Sequence, residues 1–143
     1  MADILHDFPI RAPISDVYRG VSTPGGLDAW WTARSSGEAR VAEEYQLWFG
    51  PEYDWRARVV RADADCAFEL LVTVALPDWV GTRVAFDLSP KTDGTLVRFA
   101  HLGWPEVSEH YRISCYCWAM YLRVLRRRLE FGEEVPYERR LDV

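Results

Sequence analysis

Hydrophobic and polar residues alternate along residues 94–104, which is the pattern of a β-strand with one buried face. Thr95, Val97, Phe99 and His101 fall on the same face of this strand. Similar alternation and short apolar runs predict further strands at residues 4–10, 39–41, 45–50, 54–62, 67–75 and 83–89. Short segments of turn-forming residues separate the later strands, so consecutive strands should pair antiparallel.

A helical period begins at Tyr111 and predicts one long helix of about 25 residues. One continuous stripe along it consists of Tyr111, Ser114, Cys115, Trp118, Leu122, Leu125 and Leu129. Gly132 is a typical helix stop, and Pro136 prevents the helix from continuing. Two short helices are predicted earlier, one at residues 12–18 and one from about Gly26 that carries Leu27, Trp30 and Trp31.

The order of these elements is one strand, two short helices, about six strands and one long helix. We therefore predict an α+β fold, in which a curved antiparallel sheet of about six or seven strands is covered by the long C-terminal helix. Its 143 residues fit a single domain spanning residues 1–143. A sheet that coils around one helix leaves a space between the two.

Composition narrows the range of functions. Seven Trp, seven Tyr and six Phe make up 14% of the chain, more than a core of this size needs, so some should line a cavity or an interface. The net charge of −5 disfavours nucleic acid as a partner. No apolar run is long enough for membrane insertion and no signal pattern is present, which predicts a cytoplasmic protein.

Several motifs together resemble one known family. They are residues 4–13, with Ile4, His6, Phe8, Ile10 and Pro13; residues 22–31, ending in Trp30 and Trp31; Trp79, Gly81 and Thr82; residues 94–104; and Cys115, Trp118, Leu129, Glu130 and Gly132. In order and spacing they are similar to bacterial SRPBCC proteins of the group named after the Hsp90 ATPase activator homologue C-terminal domain.

This resemblance implies a helix-grip fold of the START or Bet v 1 type, with a cavity that commonly accepts apolar molecules. The fold hosts carriers, sensors, cyclases and co-chaperone modules, so membership alone does not fix the function. The eukaryotic co-chaperone of this group has an additional N-terminal domain that does much of its chaperone binding. Because this chain is too short to hold one, an Hsp90-type chaperone is not the partner we expect.

Candidate ligand-binding residues come from the inward strand faces and the helix stripe. The first set is His6, Phe8, Phe99, His101, Tyr111, Cys115 and Trp118. Wall or rim residues of undetermined direction are Trp30, Trp31, Trp48, Trp55, Trp79, Phe86 and Trp104. The alternative is that these side chains simply fill the core, which leaves it undecided whether the cavity is open or filled by the chain's own tryptophans.

His6 and His101 are the candidate acid–base residues, because the first and last strands should pair and bring the two imidazoles within several Å. The alternative is that each is only hydrogen-bonded. A zinc site would need a third ligand, such as Cys115 or Glu109, and the spacing does not suggest one. No phosphate loop, dinucleotide fingerprint or serine nucleophile motif is present, so no cofactor or metal is expected.

A second apolar stripe lies on the opposite side of the long helix. It consists of Ile113, Cys117, Met120, Val124 and Phe131. We predict that it meets a second copy of the chain in a homodimer. The alternative is that the short helices or the C-terminal tail cover it.

The main hypothesis is therefore a non-enzymatic protein that binds a small hydrophobic or aromatic molecule between sheet and long helix. The first alternative is a cyclase, dehydratase or hydrolase that uses the same cavity with His101 as general base. The second alternative is a module that interacts with a chaperone.

Overall fold

The computed structural model of the chain describes residues 1–142. Its strands are β1 (Ala2–Ile10), β2 (Arg34–Ser36), β3 (Glu44–Trp48), β4 (Asp54–Asp63), β5 (Ala67–Val74), β6 (Arg83–Lys91) and β7 (Gly94–Trp104). Its α-helices are α1 (Ile14–Ser22), α2 (Pro24–Asp28) and α3 (Glu109–Phe131), and a 3-10 turn follows at Tyr137–Arg139. All seven strands form one antiparallel sheet in the order β1-β7-β6-β5-β4-β3-β2, which confirms the predicted fold class.

The bounds of α3 follow from local chemistry at both ends. Ser108 caps the start, because its hydroxyl accepts the backbone N–H of Tyr111 at 3.1 Å. Gly132 ends the helix in the left-handed conformation, with φ of 69°, which a residue with a Cβ adopts less readily. The 23-residue helix therefore begins and ends close to the predicted positions.

The inner face of the sheet carries the core. On β7, Thr95, Val97, Phe99 and His101 are all buried, as the alternation predicts. The pairing of β1 with β7 shifts register near Ala2 and Ile4, and Gly103 opposite this shift has φ of 84°. This irregularity returns Trp104 to the buried face, where strict alternation would have turned it outward.

Two predicted elements differ from the structure. Residues 39–41 form no strand; β2 lies instead at Arg34–Ser36, a polar stretch in which no strand was predicted. Its backbone pairs with β3, and the hydroxyl of Ser35, its central residue, donates to the Asp28 carboxylate at 2.8 Å. The second helix also starts earlier than predicted, at Pro24, because Thr23 caps it through the N–H of Gly26.

The second stripe on α3 is only partly exposed. Ile113 and Phe131 are exposed, whereas Val124 is 2% exposed and belongs to the core. The prediction that Val124 contributes to a dimer surface is therefore wrong. The tail after α3 passes back over the molecule, where Arg140 bonds to the carbonyls of Asp28 and Thr32, and Val135 packs against the same core as Val124.

Candidate functional site

The space between the sheet and α3 is filled by the chain's own aromatic rings. Besides His101, predicted ligand-binding residues that are buried there are Trp30, Phe86, Phe99, Trp104 and Trp118. The ring of Trp118 lies 4.5 Å from that of Phe99 and 6.4 Å from that of Trp30, centroid to centroid. These side chains therefore form an aromatic core beneath the helix instead of the walls of an open cavity.

His101 lies inside this aromatic core with no exposed surface. The indole N–H of Trp118 donates to its Nδ1 at 3.0 Å, so the imidazole proton is on Nε2. Nε2 donates this proton to the hydroxyl oxygen of Thr82, 2.8 Å away, and the Thr82 hydroxyl donates to the carbonyl of Trp79 at 2.6 Å. Both ring nitrogens of His101 are therefore occupied.

The hypothesis that His101 acts as general base is wrong on this geometry. Burial, with a smaller contribution from nearby His110, lowers the pKa of His101 to about 3. An imidazole whose only basic nitrogen already accepts a hydrogen bond has no lone pair to take a substrate proton. It serves instead as a neutral link between β7, α3 and the β5–β6 loop.

His6 is separated from His101 by the register of the sheet. β1 and β7 pair as predicted, but His6 lies opposite Phe99 whereas His101 lies opposite Ile4. The His6 ring stacks on Phe99 and its Nε2 donates to the carbonyl of Cys115 at 3.3 Å. Among residues 1–142 no three His, Cys, Asp or Glu side chains are grouped to hold a metal ion.

Three other predicted site residues lie outside the aromatic core. Trp48 is on the outer face of the sheet, because Tyr45 and Leu47 take the inward positions of β3, and the guanidinium of Arg34 lies 4.5 Å over its ring. The prediction that Trp48 lines the site is therefore wrong. Tyr111 donates its hydroxyl to the carbonyl of Asp3, and Phe8 lies on β1 beside α3.

The ligand-sized cavity with the most aromatic wall is a cleft at one end of the sheet, with a volume of about 310 Å³. Seven aromatic side chains line it: Trp31, Phe49, Tyr53, Trp55, Trp79, Tyr121 and Tyr137. Leu76 and His110 complete the wall. A crevice of about 40 Å³ beside Ser114 and Trp118 shares Trp31, Trp79 and Tyr121 with the cleft and continues it toward the core.

The rings of this aromatic cleft support one another. The centroid of Trp55 lies 4.8 Å from that of Trp79 and 5.2 Å from that of Phe49. Trp31 connects the cleft to the aromatic core, since its centroid lies 5.6 Å from Phe49 and 5.0 Å from Trp118. The wall is therefore held in place by packing from behind, and the open side faces solvent.

Few polar groups accompany these rings. His110 Nδ1 lies 2.7 Å from the carboxylate of Asp78, which ties the β5–β6 loop to the start of α3. The indole N–H of Trp79 is buried and has no acceptor among residues 1–142. Burial raises the pKa of Tyr121 to about 12, so its hydroxyl stays neutral at physiological pH.

Sequence reasoning found three of the residues of the cleft, Trp31, Trp55 and Trp79. It missed Phe49, Tyr53, Leu76, His110, Tyr121 and Tyr137. A usable signal for some of them was present, because Phe49 and Tyr53 flank the turn before Trp55, and Tyr121 lies one helical turn after Trp118. Tyr137 gave no such signal, since it follows Pro136 in the tail.

The seven-stranded curved sheet around one long C-terminal helix defines a helix-grip protein. Residues 11–130 match the family described as Activator of Hsp90 ATPase homolog 1-like protein, and the chain belongs to that family. The resemblance noted in the sequence is thereby confirmed. Comparison with curated proteins finds no match.

Solved structures share this fold. The Aha1 dimer from Colwellia psychrerythraea is 28% identical, with a TM-score of 0.85, and the alignment covers 93% of this chain and 99% of that one. MLL2253 from Mesorhizobium loti is 17% identical with a TM-score of 0.80, over 92% and 99% of the two chains. CalU16 from Micromonospora echinospora is 18% identical with a TM-score of 0.75, over 98% and 81%. Within residues 1–142 none of the helices has the length and apolar character that crossing a membrane requires.

Proposed function

We propose that this protein binds a small uncharged aromatic or apolar molecule in the aromatic cleft. The observation that carries the proposal is the cleft itself, a space of about 310 Å³ with seven aromatic side chains around it. Its volume lies at the lower end of the range of small-molecule sites, which are mostly apolar with few polar groups. The site is thus displaced from the sheet–helix interior, which the chain fills with its own rings.

The indole N–H of Trp79 suggests one further property of the ligand. A buried donor without an acceptor costs about 1–3 kcal/mol, and a ligand that supplies an acceptor recovers this. Trp79 lines both the cleft and the crevice behind it. Because this N–H is shielded from solvent, a ligand reaches it only by entering the crevice. We expect ligands that place a carbonyl or ether oxygen there to bind more tightly than hydrocarbons of the same shape.

Isothermal titration calorimetry with 2-acetylnaphthalene tests the site. Trp55→Ala removes a wall of the cleft and should weaken binding about tenfold, since it removes aromatic contact area. Trp48→Ala is the matched control, because it removes a half-buried tryptophan from the outer face of the neighbouring strand. Equal affinities for wild type and both variants, or no binding at all, would count against the cleft. A second titration with 2-ethylnaphthalene, which lacks the acceptor, isolates the contribution of Trp79.

We also propose that the chain forms a homodimer through the exposed side of α3. Ile113 is 53% exposed and Tyr116 is 66% exposed on adjacent turns, and Cys117 and Met120 lie half-buried beside them. The 28% identical relative is a dimer by its description. Sedimentation of wild type and of Ile113→Arg tests this proposal, and the variant should be monomeric. Val41→Arg, at a similarly exposed position outside α3, is the control. A wild-type monomer at micromolar concentration would contradict it.

The family description also raises a chaperone as partner, and we propose that the ligand site and not a chaperone defines this chain's role. A pull-down with purified Hsp90 separates the two: capture that Ile113→Arg abolishes and Trp55→Ala leaves intact would support the chaperone instead.

We place the protein in the cytoplasm, as predicted, which agrees with the free state of Cys66, Cys115 and Cys117. Detection of the protein in the membrane or secreted fraction of its cells would contradict this placement.

A further inference from the structure

A second cavity lies between β1 and the C-terminal half of α3. It shares no lining residue with the aromatic cleft. Its volume is about 550 Å³, larger than that of the cleft. Part of its lining is apolar: Phe8 from β1, and Ala119 and Leu122 from α3. Phe131, which is largely exposed at the last turn of the helix, lies on the same groove. We call this space the edge groove.

The edge groove is positively charged although the chain as a whole carries −5. Arg11, Arg123, Arg126 and Arg127 line it, against two carboxylates, Asp7 and Glu130. Glu133, which lies outside the lining, pairs with Arg127, so the local excess is one positive charge. A positive groove on an acidic protein attracts small anions selectively, because the rest of the surface repels them.

One buried carboxylate fixes part of this arrangement. The side chain of Glu130 is only 6% exposed, and it accepts the Nε–H of Arg126 at 3.1 Å and the backbone N–H of Arg11 at 2.9 Å. Burial opposes its ionisation, but these two donors hold the pKa of Glu130 below its usual value. Glu130 is thus an internal counter-ion that positions Arg126 and the backbone of Arg11.

The remaining arginines differ in their pairing. Arg127 makes two hydrogen bonds of 2.6 Å to Glu133, which occupies its guanidinium. Arg11 and Arg123 form no salt bridge with any side chain within residues 1–142. These two guanidinium groups therefore have free hydrogen-bond donors, although their charges act on Glu130 and Glu133. A carboxylate is the partner for which a guanidinium has the best geometry.

The adjoining edge strand disfavours an added peptide strand. β1 is the outermost strand of the sheet, and it contains Pro9, which offers no backbone donor, together with the charged residues Asp3 and Asp7. Proline and charge on an edge are the features that prevent strand addition. The dimensions of the edge groove instead suit a compact ligand.

We propose that the edge groove binds a small organic acid, as a second site independent of the aromatic cleft. The apolar body of the ligand lies on Phe8 and Leu122, and its carboxylate accepts hydrogen bonds from the guanidinium groups of Arg11 and Arg123. Arg126, held by Glu130, completes the positive field.

Titration calorimetry with decanoate, kept below its micelle concentration, tests this proposal on the full chain. Decanoate should bind at least tenfold more tightly than decanol, which has the same number of carbon atoms without the charge, and raised salt should weaken only the decanoate. Arg123→Gln and Arg11→Gln should each weaken decanoate about tenfold. Arg58→Gln, which removes an exposed arginine from the outer face of β4, is the matched control and should have no effect.

Three results would overturn the proposal: equal affinity for decanoate and decanol, equal loss in Arg58→Gln and Arg123→Gln, or binding to phosphatidylglycerol vesicles without binding of free decanoate. The last would identify a membrane surface as the source of the anion. Trp55→Ala should leave decanoate binding intact, because Trp55 lines only the aromatic cleft. Failure of the cleft proposal and failure of this one are therefore separable.

Discussion

Trp118 donates its indole N–H to Nδ1 of His101 at 3.0 Å in the middle of the aromatic core. From His101 the hydrogen bonds continue through Thr82 to the backbone of Trp79. One polar chain thus connects α3 to β7 and to the β5–β6 loop, whose Trp79 is part of the cleft wall. The geometry of the cleft therefore depends on a network that is itself closed to solvent.

The neutral state of His101 should make stability depend on pH. Because folding lowers the pKa of His101 from 6.5 to about 3, the unfolded chain binds more protons than the folded chain between these values. The contribution of this group to stability is therefore complete above about pH 6.5 and is lost progressively as the pH falls toward 3, by at most about 5 kcal/mol.

Urea unfolding at pH 7, 5 and 4 measures this loss. In His101→Gln the titrating group is absent, so stability should be lower at pH 7 but should decline less steeply toward pH 4. Parallel declines in the two proteins would mean that folding does not lower the pKa of His101. Nitrogen chemical shifts of the imidazole provide an independent check, with Nδ1 expected unprotonated and Nε2 protonated.

Thr82 should contribute more than its size suggests. Thr82→Val keeps the shape but removes the oxygen that pairs with His101 Nε2, leaving a buried donor unpaired at a cost of about 1–3 kcal/mol. Thr73→Val, an exposed position on β5, should change the free energy of unfolding by less than about 0.5 kcal/mol. Thermal or urea unfolding compares the two, and equal effects would argue against the network.

The indole N–H groups of two buried tryptophans should contribute differently to the free energy of unfolding. Trp118 donates to His101, whereas the indole N–H of Trp104 has no acceptor among residues 1–142. Trp118→Phe should therefore cost about 1–2 kcal/mol more than Trp104→Phe, because only the first leaves a buried acceptor unpaired. Equal losses in urea unfolding would show that ring volume alone determines both.

The C-terminal tail should affect both stability and the cleft. Arg140 is buried and bonds to the carbonyls of Thr32, Asp28 and Val135. Arg140→Ala should lower the free energy of unfolding by about 3 kcal/mol, since it leaves these carbonyls unpaired. It should also weaken 2-acetylnaphthalene binding, because Tyr137 of the same tail lines the cleft. Arg139→Ala, at an exposed neighbouring position, should leave stability and binding unchanged within error.

Sequence periodicity was enough to predict the architecture. The alternation in β7, the stripe along α3 and the stop at Gly132 are local signals, and each reflects burial of one face. Errors occurred where local pattern and tertiary environment disagree. Val124 has the phase of an exposed residue on α3 but is buried in the core, and β2 has a polar sequence but pairs with β3.

The site was harder to predict because an aromatic side chain that points inward can either fill the core or line the wall of a cavity. Trp30 and Trp31 are adjacent and both buried, yet only Trp31 lines the cleft. His101 lies on an apolar strand face, and the pKa of a free imidazole is close to neutral pH. These two features made it a candidate base. Only the positions of Trp118 and Thr82, which are distant in sequence, show that both nitrogens are occupied.

The most direct test of the binding site is a titration of the protein with 2-acetylnaphthalene, followed through the seven indole N–H signals in nitrogen–proton correlation spectra. We expect the largest shifts at Trp31, Trp55 and Trp79 of the cleft, and little change at Trp30 and Trp104 of the aromatic core or at Trp48 on the outer face. Largest shifts at Trp30 and Trp104 would instead place the ligand beneath α3 and contradict the account.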